Sequence, residues 1–528
     1  MTSLDAQRRG LERSRCLVLG EILARNARRF ADKPALVFEG RTLTFGELNS
    51  RVNRLAGALS RRGVVRGDKV AVLMLNRLEV LESFFACHKL GACPVPVNFR
   101  LVPNEVKYVL TNSDAVGLIV DESLESLARE AMAGSSPFIL SLASDPAPGA
   151  ESYEKALAAE LDEEPDVVVR EDELAFLMYT SGTTGLPKGA MLTHQNLVAN
   201  TANWILEIEA RQDDVWLSGL PLFHIGGVNG ILPFIYLGGT CVITSSTGFD
   251  PLDSIKQIAH HDVTICYFVP TQWQQICSLP EVASIDTSKL RKALWGASQA
   301  PVSTLELLTT TFPAVGIVNA FGQTEMSSNT CFLKAGDAVS RMGSVGKPCV
   351  NVEVRVVDDD MKDVEVGEIG EIVYRGPTVM KGYYRNEAAT DQAFEGGWFH
   401  SGDLVRVDSD GFITVVDRKK DMIISGGENI YPAEIELALA DHPGVGEVTV
   451  VGVPHPKWVA TPVAVVVVAP GQAPSAEELL EYTKSKIASY KKPRAVVFVD
   501  VLPRNAAGKV LRRELRDQFA DMFAGDSP

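Results

Sequence analysis

A run of small, hydroxyl-bearing and basic residues directly follows a predicted strand. Residues 180–189 read TSGTTGLPKG, and the apolar run at 174–179 before them predicts a buried strand. Glycines bring backbone N–H groups close to an anion, hydroxyls add donors, and the ammonium of Lys188 supplies positive charge. The spacing differs from the P-loop of kinases and GTPases, because Pro187 stands at its second glycine and Gly189 at its serine or threonine. We therefore predict a phosphate-binding loop of another kind.

Short polar stretches recur further along the chain, and most of them follow apolar runs. The pentapeptide FGQTE at 321–325 follows the apolar run at 315–318, and GAS at 296–298 follows a predicted strand. Glycine and alanine allow a backbone to approach a flat base closely. Each stretch taken singly is typical of an ordinary turn, so the prediction of a nucleotide site depends on their combination.

The composition bounds the class of protein. A chain of 528 residues is too long for a single hydrophobic core, so we expect two or more domains. Its 46% apolar and 22% charged content is that of a soluble globular protein. The apolar run at 463–469 has strand length, so we expect no integral membrane segment, and no secretion signal is apparent. A net charge of −16 argues against nucleic acid as a partner. Eight scattered cysteines indicate reduced thiols and a cytoplasmic location.

Alternating helical and strand patterns predict an α/β fold with parallel sheets covered by helices. Helices are expected at 46–62, 78–90 and 105–113, and strands at 69–75, 215–217, 240–243 and 264–269. From about residue 351, short alternating runs predict a small antiparallel sheet or a β-barrel-like subdomain. A helix at 432–440 and strands at 448–453 and 463–468 predict a small C-terminal α+β domain. The charged tetrapeptide at 417–420 is the expected boundary.

In chain order these stretches resemble the motifs of the AMP-forming acyl-CoA synthetases, the fatty-acid and aryl-acid CoA ligases of the ANL adenylating superfamily. The resemblance extends from TFGEL at 44–48 to Arg512. It implies an acid–thiol ligase that activates a carboxylic acid with ATP and Mg²⁺ to acyl-AMP, releases pyrophosphate, and transfers the acyl group to coenzyme A. It also implies a large domain at 1–417, a hinge at 418–420 and a mobile small domain at 421–528.

The resemblance assigns roles to individual residues. The ATP and AMP site would comprise Thr180, Ser181, Gly182, Thr183, Thr184, Lys188, Gly296, Ala297, Ser298, Phe321, Gly322, Gln323, Thr324, Asp403, Arg418 and Lys509. The catalytic residues would be Lys509, Thr184, Glu325 and His224, with Thr184 and Glu325 holding Mg²⁺. Lys420 would be the hinge pivot, Ser425, Gly426 and Gly427 would line the CoA path, and His224 and Gly322 would border the acyl pocket.

Two positions depart from the pattern of the family. The aromatic residue expected to stack on adenine is Phe321 rather than the usual tyrosine. Relatives often read Trp-Gly-Glu where this chain has Trp458-Val459-Ala460, on the CoA side of the small domain.

A basic cluster lies near the C-terminus and comprises Lys484, Lys486, Lys491, Lys492 and Arg494. It is either a solvated helix end or a binding place for a polyanionic cosubstrate.

One residue and one segment limit the class of carboxylic acid. Acetate-type enzymes carry a tryptophan at the place of Gly322, so we expect a larger acid: a medium- or long-chain fatty, aryl or alicyclic acid. The segment 220–227 has no aspartate to hold the ammonium of an amino acid. One alternative is an adenylating ligase that loads a separate acyl carrier protein. Another is a degenerate homologue that only binds nucleotide. The expected partners are the carboxylic acid, ATP and CoA, and a homodimer is compatible with the resemblance.

Overall fold

The computed structural model describes residues 3–132, 137–180, 186–298, 300–425, 428–484, 486–505 and 508–524. Its strands are β1 (Pro34–Phe38), β2 (Arg41–Thr44), β3 (Lys69–Leu73), β4 (Cys93–Pro96), β5 (Ala115–Val120), β6 (Phe138–Ser141), β7 (Glu151–Ser152), β8 (Leu174–Thr180), β9 (Lys188–Thr193), β10 (Val215–Ser218), β11 (Thr240–Ile243), β12 (Ile265–Tyr267), β13 (Lys292–Gly296), β14 (Gly316–Gln323), β15 (Ser328–Leu333), β16 (Lys347–Pro348), β17 (Glu353–Val357), β18 (Ile369–Arg375), β19 (Phe399–Val407), β20 (Ile413–Arg418), β21 (Ile423–Ser425), β22 (Glu428–Ile430), β23 (Val445–His455), β24 (Val459–Val468) and β25 (Ala495–Phe498).

Helices alternate with these strands over much of the chain. They are α1 (Ser3–Arg15), α2 (Leu19–Arg29), α3 (Phe45–Arg61), α4 (Leu78–Leu90), α5 (Pro103–Asn112), α6 (Glu125–Ala131), α7 (Tyr153–Ala158), α8 (His194–Glu207), α9 (Ile225–Leu237), α10 (Pro251–His260), α11 (Pro270–Cys277), α12 (Val302–Thr311), α13 (Glu387–Ala393), α14 (Pro432–Ala440), α15 (Ala476–Lys484) and α16 (Arg512–Gln518). The helices predicted for the first part of the chain are confirmed as α3, α4 and α5. A capping box formed by Thr44 and Glu47 fixes the start of α3.

Two large sheets form the body of the molecule. The first has the strand order β16-β15-β14-β13-β12-β10-β11-β1-β2, and its pairs from β1 through β11, β10, β12 and β13 to β14 are parallel. The second has the order β4-β3-β5-β6-β7 and is parallel throughout. Parallel sheets are stable when both faces are covered, and helices supply that cover here. The predicted α/β class is confirmed.

Helix α4 lies in the core and contacts strands of both large sheets. All its residues are buried, including the carboxylates of Glu79 and Glu82. Buried carboxylates need charged partners. Arg77 and Arg41 each contact Glu79, and Nε of Arg51 lies 2.6 Å from Oε1 of Glu82. These ion pairs make it possible for the polar positions of α4 to lie between apolar layers.

Two smaller units follow the large sheets. Strands β17 to β20 form an antiparallel sheet in sequential order, as the alternating runs predicted. The C-terminal segment forms a mixed sheet of order β22-β21-β24-β23, with β25 parallel to β24, packed against α14 and α16. Oδ2 of Asp417, on β20, accepts a hydrogen bond of 2.9 Å from the backbone N–H of Ala433 at the start of α14. This contact joins the C-terminal unit to the preceding sheet.

Candidate active site

The predicted phosphate loop connects β8 and β9, which pair as an antiparallel hairpin with Thr180 opposite Lys188. Thr180 ends β8, and its hydroxyl donates to the carbonyl oxygen of Lys188 across 3.4 Å. Residues 181–185, which include Ser181, Gly182, Thr183 and Thr184, lie outside the described residues. The ammonium of Lys188 lies over the ring of Tyr383, 5.1 Å from its centroid. The hairpin therefore fixes both ends of the predicted loop.

Thr324 and Glu325 lie in a short 3₁₀ turn between β14 and β15. Oε1 of Glu325 accepts a hydrogen bond of 2.9 Å from the hydroxyl of Tyr383. The backbone oxygen of Glu325 accepts from the N–H of Met380 at 2.7 Å. Two separate bonds thus attach this turn to the segment that carries Tyr383. Sequence reasoning missed Tyr383, because no motif links it to a glutamate so far away in the chain.

Glycines at two predicted nucleotide positions are required by the backbone of the first sheet. A Cβ on Gly322 would overlap with the carbonyl oxygen of Ser328 in the β14–β15 hairpin, and one on Gly296 would overlap with that of Ala320 on β14. Gly322 was expected to leave open space for the acid. In the structure, glycine is also required at this position because the backbone of the β14–β15 hairpin occupies the space into which a side chain would project. Ala297 follows Gly296 with a positive φ of 67° and is exposed.

Phe321, Gln323 and Ser298 line the same end of the sheet. Phe321 and Gln323 are half-buried at the end of β14, and Ser298 is exposed just after β13, which neighbours β14. The buried Nε2 of Gln323 has no hydrogen-bond partner within the described part of the chain. The structure therefore brings the two predicted adenine stretches together at one sheet edge.

Asp403 and Arg418 face each other on β19 and β20 and form an ion pair. Nε of Arg418 lies 2.6 Å from Oδ1 of Asp403, whose side chain is buried. Burial raises the pKa of Asp403, while Arg418 and Lys509 act in the opposite direction. Their mutual placement agrees with the prediction that both belong to one site.

Lys509 belongs to the C-terminal unit but lies within electrostatic reach of Asp403 and Arg418. Burial lowers the pKa of Lys509, and the positive charge of Arg418 adds to that effect. Burial and the charge of Lys509 lower the pKa of Lys420 to about 8. Lys509 is held in a turn, since its N–H donates to Oδ1 of Asn505 at 2.9 Å. The predicted catalytic lysine and the predicted pivot are therefore neighbours.

His224 precedes α9 and belongs to an aromatic group. The ring of Phe223 lies 5.3 Å from that of Phe99, nearly perpendicular to it, and 5.3 Å from that of His224. Surrounding protein atoms lower the pKa of His224, and the charge of Arg100 acts in the same direction. A lowered pKa favours the neutral form of the imidazole near pH 7. We call Phe99, Phe223 and His224 the aromatic cluster.

Helix α9, which follows the aromatic cluster, is bonded to the residues after Glu325. Further along α9, the side-chain amide of Asn229 donates to the carbonyl oxygen of Ser327, two residues after Glu325. Before α9, the buried Asn76 orders the chain: its Oδ1 accepts from Leu222 N–H at 2.8 Å, and its amide donates to the carbonyl of Leu220 at 3.1 Å. Sequence reasoning missed Asn76, because a buried asparagine leaves no signal of its partners in the chain.

The predicted CoA path begins at the end of β21. Ser425 pairs with Val459, the first residue of β24. Val459 is 76% exposed and has a φ of 71°, in the left-handed region that β-branched residues rarely adopt. Gly426 and Gly427 lie outside the described residues. The departure from the family at Val459 therefore lies directly beside the predicted path.

The chemistry of the predicted ligand Glu325 suits Mg²⁺. The ion usually takes one or two protein carboxylates together with substrate phosphates rather than an all-protein cage. Within the described ranges, no cluster of three or more histidine, cysteine, aspartate or glutamate side chains could form such a cage. Glu325 offers a carboxylate whose Oε2 is outside the hydrogen bond with Tyr383. Glu325 would therefore hold the metal that accompanies the nucleotide.

Known proteins resemble this chain over most of its length. The model of the AMP-binding enzyme family matches residues 23–384, and that of the AMP-binding enzyme C-terminal domain matches residues 434–509. Feruloyl-CoA synthase of an Amycolatopsis species is 41% identical over 505 residues, covering 95% of this chain and 99% of the relative. A long-chain-fatty-acid–CoA ligase of Mycobacterium tuberculosis is 34% identical over 486 residues, covering 90% and 93%.

A solved structure shares the whole architecture. The o-succinylbenzoate CoA synthetase of Bacillus subtilis, in complex with its acyl-adenylate intermediate, has a TM-score of 0.84 at 34% identity. The match covers 94% of this chain and 98% of that one. The same enzyme has been solved with ATP and a magnesium ion. The likeness therefore extends to a protein captured with nucleotide, metal and adenylate.

The fold and the site define an adenylate-forming ligase. The chain belongs to the AMP-binding enzyme family, as an acid–thiol ligase of the AMP-forming acyl-CoA synthetase class. It activates a carboxylic acid with ATP and Mg²⁺ to acyl-AMP and transfers the acyl group to coenzyme A. No helix in the described residues has the length and apolar character needed to span a membrane.

Proposed function

We propose that the acid activated by this chain carries a planar aromatic ring, as hydroxycinnamic acids do. The observation that carries this proposal is the aromatic cluster before α9, where Phe223 is 5.3 Å from both Phe99 and His224. Aromatic rings favour edge-to-face and offset contacts with one another, worth about 0.5–1.5 kcal/mol each beyond the burial of area. The similarity to a feruloyl-CoA synthase supports the same class of acid.

A neutral His224 suits a role at the border of the acyl pocket. Since its pKa is lowered, the imidazole can accept or donate a hydrogen bond without adding positive charge near the carboxylate. The positive charge that attracts the carboxylate and the α-phosphate would come from Lys509. A compact ammonium on a flexible stem can follow the charge as the bond forms. Lys509 is accordingly the proposed catalytic residue of adenylation, with Thr184 of the phosphate loop and Glu325 on the metal.

Asp403 and Arg418 are proposed to bind the ribose. Oδ1 of Asp403 is engaged by Arg418, which fixes the plane of the carboxylate and leaves Oδ2 for a sugar hydroxyl. Phe321 would stack on adenine next to Gly296, Ala297 and Ser298. Gly322, Gln323, Thr324 and Lys188 would complete the nucleotide site.

The chain is proposed to work as a large domain at 1–417 and a small domain at 421–528, joined by a hinge at 418–420. Lys509 near Asp403 supports an orientation that forms the adenylate. For the transfer to CoA, rotation at Lys420 would bring Ser425, Gly426 and Gly427 to the site. The eight cysteines are free thiols in the described part of the chain, as is usual in a reducing compartment, and the proposed location is the cytoplasm. A homodimer stays a prediction.

A pyrophosphate-release assay with a panel of acids tests the proposed substrate. Ferulic acid should exceed octanoic acid in kcat/KM by about tenfold, as one or two aromatic contacts would give, and acetic acid should be slower still. Phe223→Leu should reduce that preference, whereas Phe249→Leu, whose ring packs on Phe268 in another cluster, should leave it unchanged. Octanoic or acetic acid as the best substrate would contradict the proposal. Formation of acyl-AMP without any acyl-CoA would favour a carrier protein as the acceptor.

A further inference from the structure

Tyr383 lies between two residues that the proposed function assigns to the nucleotide and its metal. Its hydroxyl donates to Oε1 of Glu325 at 2.9 Å, and its ring receives the ammonium of Lys188 at 5.1 Å from the centroid. Glu325 belongs to the β14–β15 turn and Lys188 to the β8–β9 hairpin, so these two charged groups are attached to different sheets. The same side chain therefore contacts the predicted metal ligand and the predicted phosphate-loop lysine.

The backbone around Tyr383 is fixed on both sides. Met191 on β9 donates to the carbonyl of Gly382 and accepts from the N–H of Lys381, both at 2.9 Å, and the N–H of Tyr384 donates to Gly189 at 2.8 Å. These bonds add the segment to the edge of the β8–β9 hairpin. The N–H of Tyr383 itself donates to the hydroxyl of Thr390 at 2.9 Å. A ring anchored in this way can set the position of whatever it contacts.

The two contacts have distinct physical effects. A carboxylate that accepts one directed hydrogen bond has its plane fixed, which presents the other oxygen to a metal in a defined direction. An ammonium over an aromatic face is attracted to the ring without being neutralised, so its charge stays available to phosphate. The hydroxyl contact thus acts on Glu325, and the ring contact acts on Lys188.

We propose that Tyr383 is a positioning residue that orients Glu325 toward the metal of the bound nucleotide and holds Lys188 beside it. The proposal rests on the proposed function of Glu325 as the metal ligand. It predicts that the hydroxyl of Tyr383 matters for the part of nucleotide affinity that depends on the metal. It also predicts that the later transfer to CoA is insensitive to the hydroxyl.

The neighbouring Tyr384 offers a matched control. Its hydroxyl donates to Oδ2 of Asp114 at 2.9 Å, on the exposed side of the segment. Tyr383→Phe and Tyr384→Phe each remove one hydroxyl and keep the ring, so both variants preserve packing. Only the first removes the hydrogen bond to Glu325.

Calorimetric titration with the non-cleavable analogue α,β-methylene-ATP, with and without Mg²⁺, measures the metal-dependent gain in affinity directly. Tyr383→Phe should lose about tenfold of that gain, as expected for a hydrogen bond to a charged group, and Tyr384→Phe should keep it. Glu325→Gln should remove the gain, and adding Tyr383→Phe to Glu325→Gln should cost nothing more, because the two act as one unit. The KM for Mg·ATP in pyrophosphate release should rise with Tyr383→Phe, while thiolation of supplied acyl-AMP should be unchanged.

An unchanged metal-dependent gain in Tyr383→Phe would overturn the proposal. So would equal losses in nucleotide binding and in the thiolation of supplied acyl-AMP, which would indicate a general structural defect. The proposed substrate class is tested independently of the role of Tyr383. If the unaltered chain released no pyrophosphate with any aromatic acid, the substrate assignment would fall, but the calorimetric comparison would still decide the role of Tyr383.

Discussion

Asp403 and Arg418 stand directly opposite each other on β19 and β20, with 2.6 Å between Oδ1 and Nε. Arg418 is also the last residue of β20 and the first residue of the proposed hinge at 418–420. The pair therefore links the proposed ribose site to the proposed hinge. Removing the charge of either residue should therefore lower both the free energy of unfolding and the affinity for nucleotide.

Asp403→Asn removes the buried carboxylate charge and leaves Arg418 unpaired. We expect the free energy of unfolding to fall by about 2 kcal/mol, the range for a hydrogen bond between charged groups, and the KM for ATP to rise by about tenfold. Urea denaturation and steady-state kinetics measure the two effects. Asp363→Asn makes the same change in an exposed pair with Arg355 and should cost less than about 1 kcal/mol. Equal effects in both variants would contradict a special role for the buried pair.

Lys509→Ala should separate the two half-reactions. The ammonium lies near Asp403 and Arg418 in the orientation that the structure shows, so adenylation should slow by about 10²–10³, as for the loss of one transition-state contact. Thiolation of a supplied acyl-adenylate should continue at the original rate. Lys362→Ala, at an exposed lysine of the large domain, is the control and should change neither step. Loss of both steps in Lys509→Ala would argue against a lysine used in only one orientation.

Lys420→Pro should have the opposite effect. The N–H groups of Lys419 and Asp421 donate to Gly402 and Arg418, but no backbone bond from the N–H of Lys420 occurs within the described residues. Proline should therefore be accepted in the observed orientation and should block the change of backbone angles that rotation needs. We expect adenylation to be retained and thiolation to be lost in single-turnover assays. Retained thiolation would show that rotation does not depend on residue 420.

The buried carboxyl of Asp417 should make stability depend on pH. Burial raises its pKa to about 6, so the folded state binds more protons than the unfolded state between about pH 4 and 6. The stability that this group contributes is present at low pH and is lost as the pH rises through about 6. From pH 4.5 to 7.5, Asp417→Asn should therefore gain about 2 kcal/mol of unfolding free energy relative to the unaltered chain. Urea denaturation at both pH values measures the difference, and a difference independent of pH would contradict this account.

Val459→Gly should stabilise the small domain. Valine at a φ of 71° is strained by about 1–3 kcal/mol, and glycine adopts this angle freely although its own unfolded chain is more flexible. We expect a net gain of about 1 kcal/mol in thermal or urea denaturation. Val501→Gly, at an equally exposed valine with an ordinary backbone, should instead destabilise the chain. A loss of stability in both variants would show that the angle at Val459 carries no strain.

Regular periodicity made much of the fold predictable. Helix α4 at 78–90, strand β11 at 240–243 and helix α14 at 432–440 have the predicted bounds, because apolar spacing and flanking glycine or proline mark their ends. The glycine–threonine stretch and the C-terminal lysine also fall in one family pattern. Short motifs of unusual composition can be recognised in a single sequence without any knowledge of the fold.

Contacts between distant segments could not be predicted in the same way. The bond from Tyr383 to Glu325 joins residues 58 positions apart in the chain, and nothing in either stretch specifies the other. A Cβ at Gly322 would overlap with the carbonyl oxygen of Ser328, and the sequence could not predict this crowding because it depends on the pairing of β14 with β15. The strain at Val459 likewise depends on a backbone angle rather than on composition.

Mass spectrometry of a quenched single turnover detects the acyl-adenylate itself. The unaltered chain would be mixed with ATP, Mg²⁺ and ferulic acid, first without CoA and then with it. We expect feruloyl-AMP and pyrophosphate in the first reaction, and feruloyl-CoA and AMP after the addition of CoA. Release of ADP and phosphate, or acyl-CoA formed without any acyl-adenylate, would contradict this expectation.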